Sequence, residues 1–187
     1  MSDIPGDPGR SGGDIASDDH GGRDAGTALR RPQAASLATC LGPDCVVMQI
    51  HASCACRSGE GVLVIGAPGA GKSDLVLRLL ARGFDLVADD RVDIVDGMAR
   101  PVPELAGLLE VRGLGIVRLA HVAAARLALV VELDNAGTRL PAPTVHDVLA
   151  LPKVRLDAWT SSAPEKVSLA LDCALGRVAQ IAGAFAA

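Results

Sequence analysis

The run Gly66-Ala67-Pro68-Gly69-Ala70-Gly71-Lys72-Ser73 reads G-x-x-x-x-G-K-S, the spacing of a loop that wraps phosphate. Gly66, Gly69 and Gly71 let the backbone fold tightly and bring N–H groups to an anion with no Cβ in the way. Lys72 offers a cation to the terminal phosphates of a nucleotide, and Ser73 offers a hydroxyl to Mg²⁺. The whole run Gly66 to Ser73, Ala67, Pro68 and Ala70 included, is therefore the candidate segment for binding a nucleoside triphosphate.

Two further groups of residues could do chemistry beside that loop. Asp89-Asp90 closes the apolar run Phe84-Asp85-Leu86-Val87-Ala88. A carboxylate at such a strand end can meet Mg²⁺ or take a proton from a hydroxyl nucleophile. The stretch Leu109-Glu110-Val111-Arg112-Gly113-Leu114-Gly115 alternates acid and base. In a strand, Glu110 and Arg112 share one face, which sets a metal-capable carboxylate beside a phosphate-capable guanidinium.

The elements that must hold these residues are legible as well. Gly61 to Ile65 is an apolar run suited to a buried strand. Leu75, Leu79 and Leu80 recur at helical spacing, and Gly83 is a helix stop. Strand, glycine-rich loop and helix in that order place backbone donors around an anion at a helix N-terminus. Val46 to Ile50 reads as a strand leading into His51, and Leu127 to Val131 as another. Val92 to Val95 followed by Asp96-Gly97 predicts a strand and a tight hairpin. From Pro164 to Phe185 the apolar positions follow a helical period, interrupted by Gly176 and Gly183. Arg78 and Arg82, one turn apart, read as solvated, His121 and His146 as structural or exposed, and Trp159 as a packing or partner-facing residue.

The chain has 187 residues, 49% hydrophobic and 21% charged, which suits one modest globular domain. The net charge of −4 speaks against a general nucleic-acid surface. With two Phe, one Trp and no Tyr, the core must be built from Leu, Val, Ile and Ala. No apolar run is long enough to span a bilayer. The five cysteines are irregularly spaced and odd in number, which predicts reduced thiols in a cytoplasmic protein. Residues 1–44, rich in Gly, Asp, Pro and Ser, read as a disordered low-complexity tail, and residues 45–187 as the folded domain.

His51, the GAPGAGKS loop, Leu86 to Val92 (LVADDRV) and Leu109 to Val117 (LEVRGLGIV) together resemble the HPr kinase/phosphorylase family in order and spacing. The loop alone is generic; ADDRV and E-x-R-G-x-G-I are much more specific. The match covers Val46 to Val131 well and the C-terminal part less well. The resemblance implies an α/β fold, a P-loop kinase core with a mixed, twisted sheet flanked by helices. It implies an ATP- and Mg²⁺-dependent kinase that phosphorylates a serine of HPr, the phosphocarrier of the sugar phosphotransferase system, and in the family also a phosphate-dependent reverse reaction.

Carried over, the resemblance makes Asp90 the proton acceptor with Asp89 beside it. Lys72 steadies the phosphates, Ser73 and Glu110 bind the metal, and His51 and Arg112 complete the group. It further implies a hexamer and a short form holding only the C-terminal kinase domain. The family's late Pro/Gly/Arg/Asn-rich block has no counterpart here. Lys153, Arg155 and Lys166 are the basic residues in the comparable region. The other readings are a P-loop small-molecule kinase and a non-catalytic nucleotide-binding sensor.

Overall fold

The computed structural model describes residues 47–135 and 138–186. The tail reading for residues 1–44, and Cys40 and Cys45, lie outside them. Eleven strands and two α-helices follow in the described residues: β1 (Met48–His51), β2 (Ser53–Arg57), β3 (Glu60–Ile65), α1 (Lys72–Leu80), β4 (Asp85–Ala88), β5 (Arg91–Val95), β6 (Met98–Pro101), β7 (Leu108–Val111), β8 (Gly115–Arg118), β9 (Ala125–Leu133), β10 (Thr144–Val145), β11 (Pro152–Leu156) and α2 (Ala163–Ala174).

The main sheet runs β1-β5-β6-β9-β3-β2-β4, with β11 parallel to β9 and β10 antiparallel to β11. The mixed α/β class expected from the sequence is the one observed. Strand β9 is its axis: it lies parallel to β3 along its length and antiparallel to β6 at its start. Val62, Leu63 and Val64 on β3 are fully buried, as an apolar run covered on both faces must be. On one face Val62, Val64, Leu129 and Val131 pack against Leu75, Val76 and Leu79 of α1 and Val167 and Leu171 of α2. On the other, Leu63, Val130, Cys54 and Cys56 pack against Val92, Ile94 and Ala99 of β5 and β6.

The Asp96-Gly97 turn is as expected. Both residues have positive φ (51° and 75°), which twists the β5–β6 hairpin in the sense the strands require. Ser58-Gly59 does the same for β2–β3 (54° and 83°). Helix α1 ends where Gly83 predicted, with the Phe84 N–H donating back to the Leu79 carbonyl at 3.2 Å.

The C-terminal helix is shorter than its periodicity predicts. It stops at Ala174, because Gly176 adopts a left-handed conformation (φ 67°) and the N–H groups of Arg177 and Val178 both turn back to the Asp172 carbonyl. Ile181, on the expected helical face, is 93% exposed. Arg78 also departs from its reading as a solvated residue. Its guanidinium donates to the carbonyls of Ala158 (2.6 Å), Thr160 (2.7 Å) and Ser161 (3.2 Å), so it fastens the loop after β11 to α1. Arg82 does stay near the surface, paired with Glu165. His121 forms a bridge to Leu86 beside β4, and the His146 imidazole accepts from the Leu149 N–H at 3.3 Å. Cys54, Cys56 and Cys173 are free thiols, and burial pushes Cys54 and Cys56 up, away from the thiolate form.

Candidate active site

The phosphate loop spans the gap from β3 to α1, as the strand–loop–helix order requires. Gly69 and Gly71 hold φ of 81° and 93°, a region that L side chains resist. Gly71 is needed twice over, since a Cβ there would lie 3.1 Å from the Ala158 Cβ and 3.3 Å from the Trp159 ring. Lys72 is 92% buried, and its ammonium donates to the carbonyls of Gly66 (2.9 Å) and Ala67 (3.2 Å). The cation is thus folded across the mouth of its own loop, where phosphate oxygens would compete for the same protons.

Asp89 and Asp90 divide two jobs between adjacent positions. Asp89 is buried. Its Oδ1 accepts from the Ser53 hydroxyl (2.5 Å) and the Ser73 hydroxyl (3.0 Å), and its Oδ2 from the Glu110 N–H (3.3 Å). Asp90 is exposed, with φ at 68°, and its Oδ1 lies 3.1 Å from His51 Nδ1. Aspartate tolerates this left-handed region better than most residues, as at Asp96 (φ 51°) in the β5–β6 turn. The β1–β5 register supplies the partner: His51 sits opposite Arg91, and the Ala52 N–H donates to the Asp90 carbonyl at 3.3 Å.

Glu110 ends up near these groups through the β7–β8 hairpin, in which it pairs with Ile116. Arg112 does not continue the strand, so the same-face reading of Glu110 and Arg112 does not hold. Arg112 opens the turn that Gly113 (φ 83°) completes. The outcome is nonetheless the same: both residues border one cavity.

That cavity measures about 400 Å³ and is lined by His51, Lys72, Ser73, Asp90, Glu110 and Arg112 together with Gly69 and Gly71. Asp89 stands behind the wall rather than in it. Gly66 and Ala67 serve through their carbonyls, and Ala67 and Ala70 border a second cavity on the other side of the loop. Two lining residues carry no signal in the motifs. Ser53 is a small polar residue on a buried strand, two positions after His51, and its hydroxyl anchors Asp89. Trp159 overlies Gly71 and borders both cavities.

The late basic residues are elsewhere. Lys153 and Arg155 on β11 both pair with Glu132 (3.1 and 3.0 Å). Partial burial pushes the Glu132 carboxyl up, but hydrogen bonds and charge from Lys153 and Arg155 outweigh it and hold the group below its usual range. Lys166 lies on α2 and does not line the cavity.

Residues 45–138, half of the chain, match the family model described as HPr Serine kinase C-terminal domain. The chain belongs to this family. Among curated relatives, the HPr kinase/phosphorylase of Cupriavidus metallidurans is 42% identical over 113 residues, covering 50% of this chain and 34% of the relative. That of Lacticaseibacillus casei is 41% identical over 91 residues, covering 41% and 28%. The chain thus spans about a third of the length of the curated relatives it matches. A solved structure of the HPr(Ser) kinase/phosphatase from Coxiella burnetii superimposes with a TM-score of 0.60 at 23% identity, covering 70% of this chain and 98% of that one. The HPr kinase fold is therefore shared with that protein. The family segment contains His51, the phosphate loop, Asp89-Asp90 and the Glu110 hairpin, and so holds the cavity's lining apart from Trp159.

Proposed function

We propose that the chain is a protein-serine kinase that uses ATP and Mg²⁺ to phosphorylate HPr. One observation carries this reading: His51, Lys72, Ser73, Asp90, Glu110 and Arg112, drawn from four separate stretches, converge on one cavity. The names of the curated relatives support HPr as the acceptor.

The residues present fit a magnesium nucleotide. The Ser73 hydroxyl spends its proton on Asp89, so its oxygen lone pairs remain free for a cation, and the Glu110 carboxylate borders the same space. Among the described residues no group of three or more His, Cys, Asp or Glu could hold a metal alone. A metal bridging phosphates needs only one or two protein ligands, because the nucleotide and water supply the rest. Bound there, Mg²⁺ would supply charge neutralisation on the phosphates.

Lys72 holds the terminal phosphates, and Arg112 stabilises charge on the transferring group. Asp90 takes the proton from the acceptor serine as its Oγ bonds to the γ-phosphorus and the bond to the β–γ bridging oxygen breaks, releasing ADP. His51 orients the Asp90 carboxylate through the 3.1 Å contact. Asp90 and His51 are exposed, as an acid that must meet a serine on another protein has to be. Leu114 (74% exposed) and Ile116 (71% exposed) on the β7–β8 hairpin give an apolar edge beside Arg112 for that protein. With Lys153, Arg155 and Lys166 away from the cavity, the reading commits to the kinase direction.

The hexamer carries over from the family resemblance, and the cytoplasmic setting from the odd number and irregular spacing of the cysteines; among the described residues no helix is long and apolar enough to cross a membrane. The test is transfer from labelled ATP to HPr by wild type and Asp90→Ala. Phosphoserine formation by the wild type, reduced about 100-fold or more in the variant, is the expected result. ATP binding without transfer overturns it in favour of a nucleotide sensor, and preferential turnover of a metabolite hydroxyl in favour of a small-molecule kinase.

A further inference from the structure

The phosphate loop has a cavity on each side. The larger one holds the reacting carboxylates. The second, about 340 Å³, is bordered by Pro68 and Ala70 of the loop, Leu133 and Asn135 at the end of β9, and Ala158 and Trp159 after β11. Pro68, Gly69 and Trp159 border both cavities, so the two adjoin at the loop. Strands β3, β9 and β11 are mutually parallel, and all three C-terminal ends open here. Ligands of open α/β sheets bind outside the carboxyl ends of such strands.

We propose that this second cavity is the subsite for the nucleotide's base and that Trp159 is its stacking wall. The proposal rests on the nucleotide-binding reading above and deepens it. A triphosphate lying along the loop with its terminal phosphate toward Asp90 must direct its nucleoside away from Asp90, and the second cavity lies on that side. The walls suit a purine. Trp159 is 60% exposed while its six-membered ring lies close to Gly71, so the indole stands at the loop with much of its surface open. A half-exposed aromatic face is what a planar base stacks on. Leu133, Ala158 and Pro68 give apolar sides, and the Asn135 carboxamide carries both a donor and acceptor for a base edge.

The Trp159 loop is held in place rather than left loose. Arg78 takes three of its carbonyls, and the Trp159 N–H donates to the Asp157 carboxylate at 2.9 Å. Wall and phosphate loop are thus fixed to the same helix, α1. Trp159 contributes binding and positioning of the base, not chemistry.

Trp159 is the chain's one tryptophan and there is no tyrosine, so intrinsic emission reads this wall alone. The experiment compares ATP with inorganic tripolyphosphate, each with Mg²⁺, by emission of the full-length wild type and by calorimetry of wild type, Trp159→Ala and Trp159→Phe. The expected result is strong quenching by ATP and little by tripolyphosphate. Trp159→Ala should weaken ATP about tenfold and leave tripolyphosphate unchanged, while Trp159→Phe keeps most of the ATP affinity. ATP affinity unchanged in Trp159→Ala overturns the proposal. So does equal weakening of both ligands, which would make Trp159 a support of the loop. If the wild type binds tripolyphosphate and ATP equally, the phosphate site stands and the base subsite falls. If it binds neither, the nucleotide reading itself falls.

Discussion

The Ser73 hydroxyl donates to the Asp89 carboxylate across 3.0 Å, and the same carboxylate oxygen takes the Ser53 hydroxyl while its neighbour takes the Glu110 N–H. One buried acid therefore joins β2, the start of α1 and the β7–β8 hairpin. The last two of these carry Ser73 and Glu110, the two residues offered to the metal. Asp89 positions the site, and Asp90, one residue on, faces the cavity.

Replacing Asp89 tests that division. Asp89→Ala leaves the fully buried Ser53 hydroxyl without its acceptor. The expected loss is about 1–3 kcal/mol of stability, read as a lower urea midpoint with unchanged slope. Asp89→Asn keeps an oxygen acceptor and should cost less. In both variants the Mg²⁺ concentration for half-maximal transfer should rise, since Ser73 is no longer aimed by a carboxylate. Unchanged stability and unchanged Mg²⁺ response would remove Asp89 from the positioning role.

Asp90 pays a backbone cost for its place, with φ at 68°. Asn tolerates that region at least as well as Asp, glycine better, and alanine poorly, by about 1–2 kcal/mol. Asp90→Asn and Asp90→Gly should therefore match or exceed wild-type stability while transferring phosphate at least about 100-fold more slowly. Asp90→Ala should be both slow and less stable. Urea midpoints set beside transfer rates check the pattern. An Asn variant with near-wild-type rate would show that Asp90 is not the proton acceptor.

The motifs carried most of the site because each sits where a local rule acts. The phosphate loop needs glycine at positive φ, and the Asp89-Asp90 pair ends an apolar strand. What the sequence hid was set by distant contacts. Ser53 belongs to β2, whose SCACR run has neither alternation nor turn signal inside it, yet β2 is a central strand between β3 and β4. Strand β10 is only two residues long and β11 opens on Pro152; β11 gains its place by pairing with β9, and β10 by pairing with β11. Arg78 looked like any surface arginine on α1 until the loop 80 residues later came back to meet it. Gly176 was visible as a weakness in the last helix, and the apolar period beyond it gave a false continuation.

The Glu132 carboxylate should leave a mark on stability at acid pH. Its folded value lies below the ordinary 4.5, held there by Lys153 and Arg155 against partial burial. A depressed acid contributes stability that is fully present above its unfolded value and is lost as pH falls through the folded one. Wild-type stability should thus drop as pH goes from about 6 to about 3, and Glu132→Gln should flatten part of that slope. The group is 30% exposed, so solvent screens the effect and the slope, not the absolute stability, is the readout. A variant whose pH profile parallels the wild type would show that the pair with β11 contributes nothing to folding.

Two glycines of the same loop should fail in different ways. Both Gly69 and Gly71 have positive φ, so alanine at either costs backbone strain of about 1 kcal/mol. A Cβ at Gly69 meets nothing within 4 Å, whereas one at Gly71 meets Ala158 at 3.1 Å and Trp159 at 3.3 Å. Gly69→Ala should fold with a modest loss and bind nucleotide poorly, because the new methyl projects into the space where phosphate approaches. Gly71→Ala adds crowding in a packed region, which typically costs a further 1–3 kcal/mol or so. It should also shift the emission of Trp159 before any nucleotide is added. Urea midpoints and resting fluorescence of the two variants, measured together, separate a cost in folding from a cost in binding. Equal midpoints with unshifted emission would show that Trp159 does not pack on Gly71.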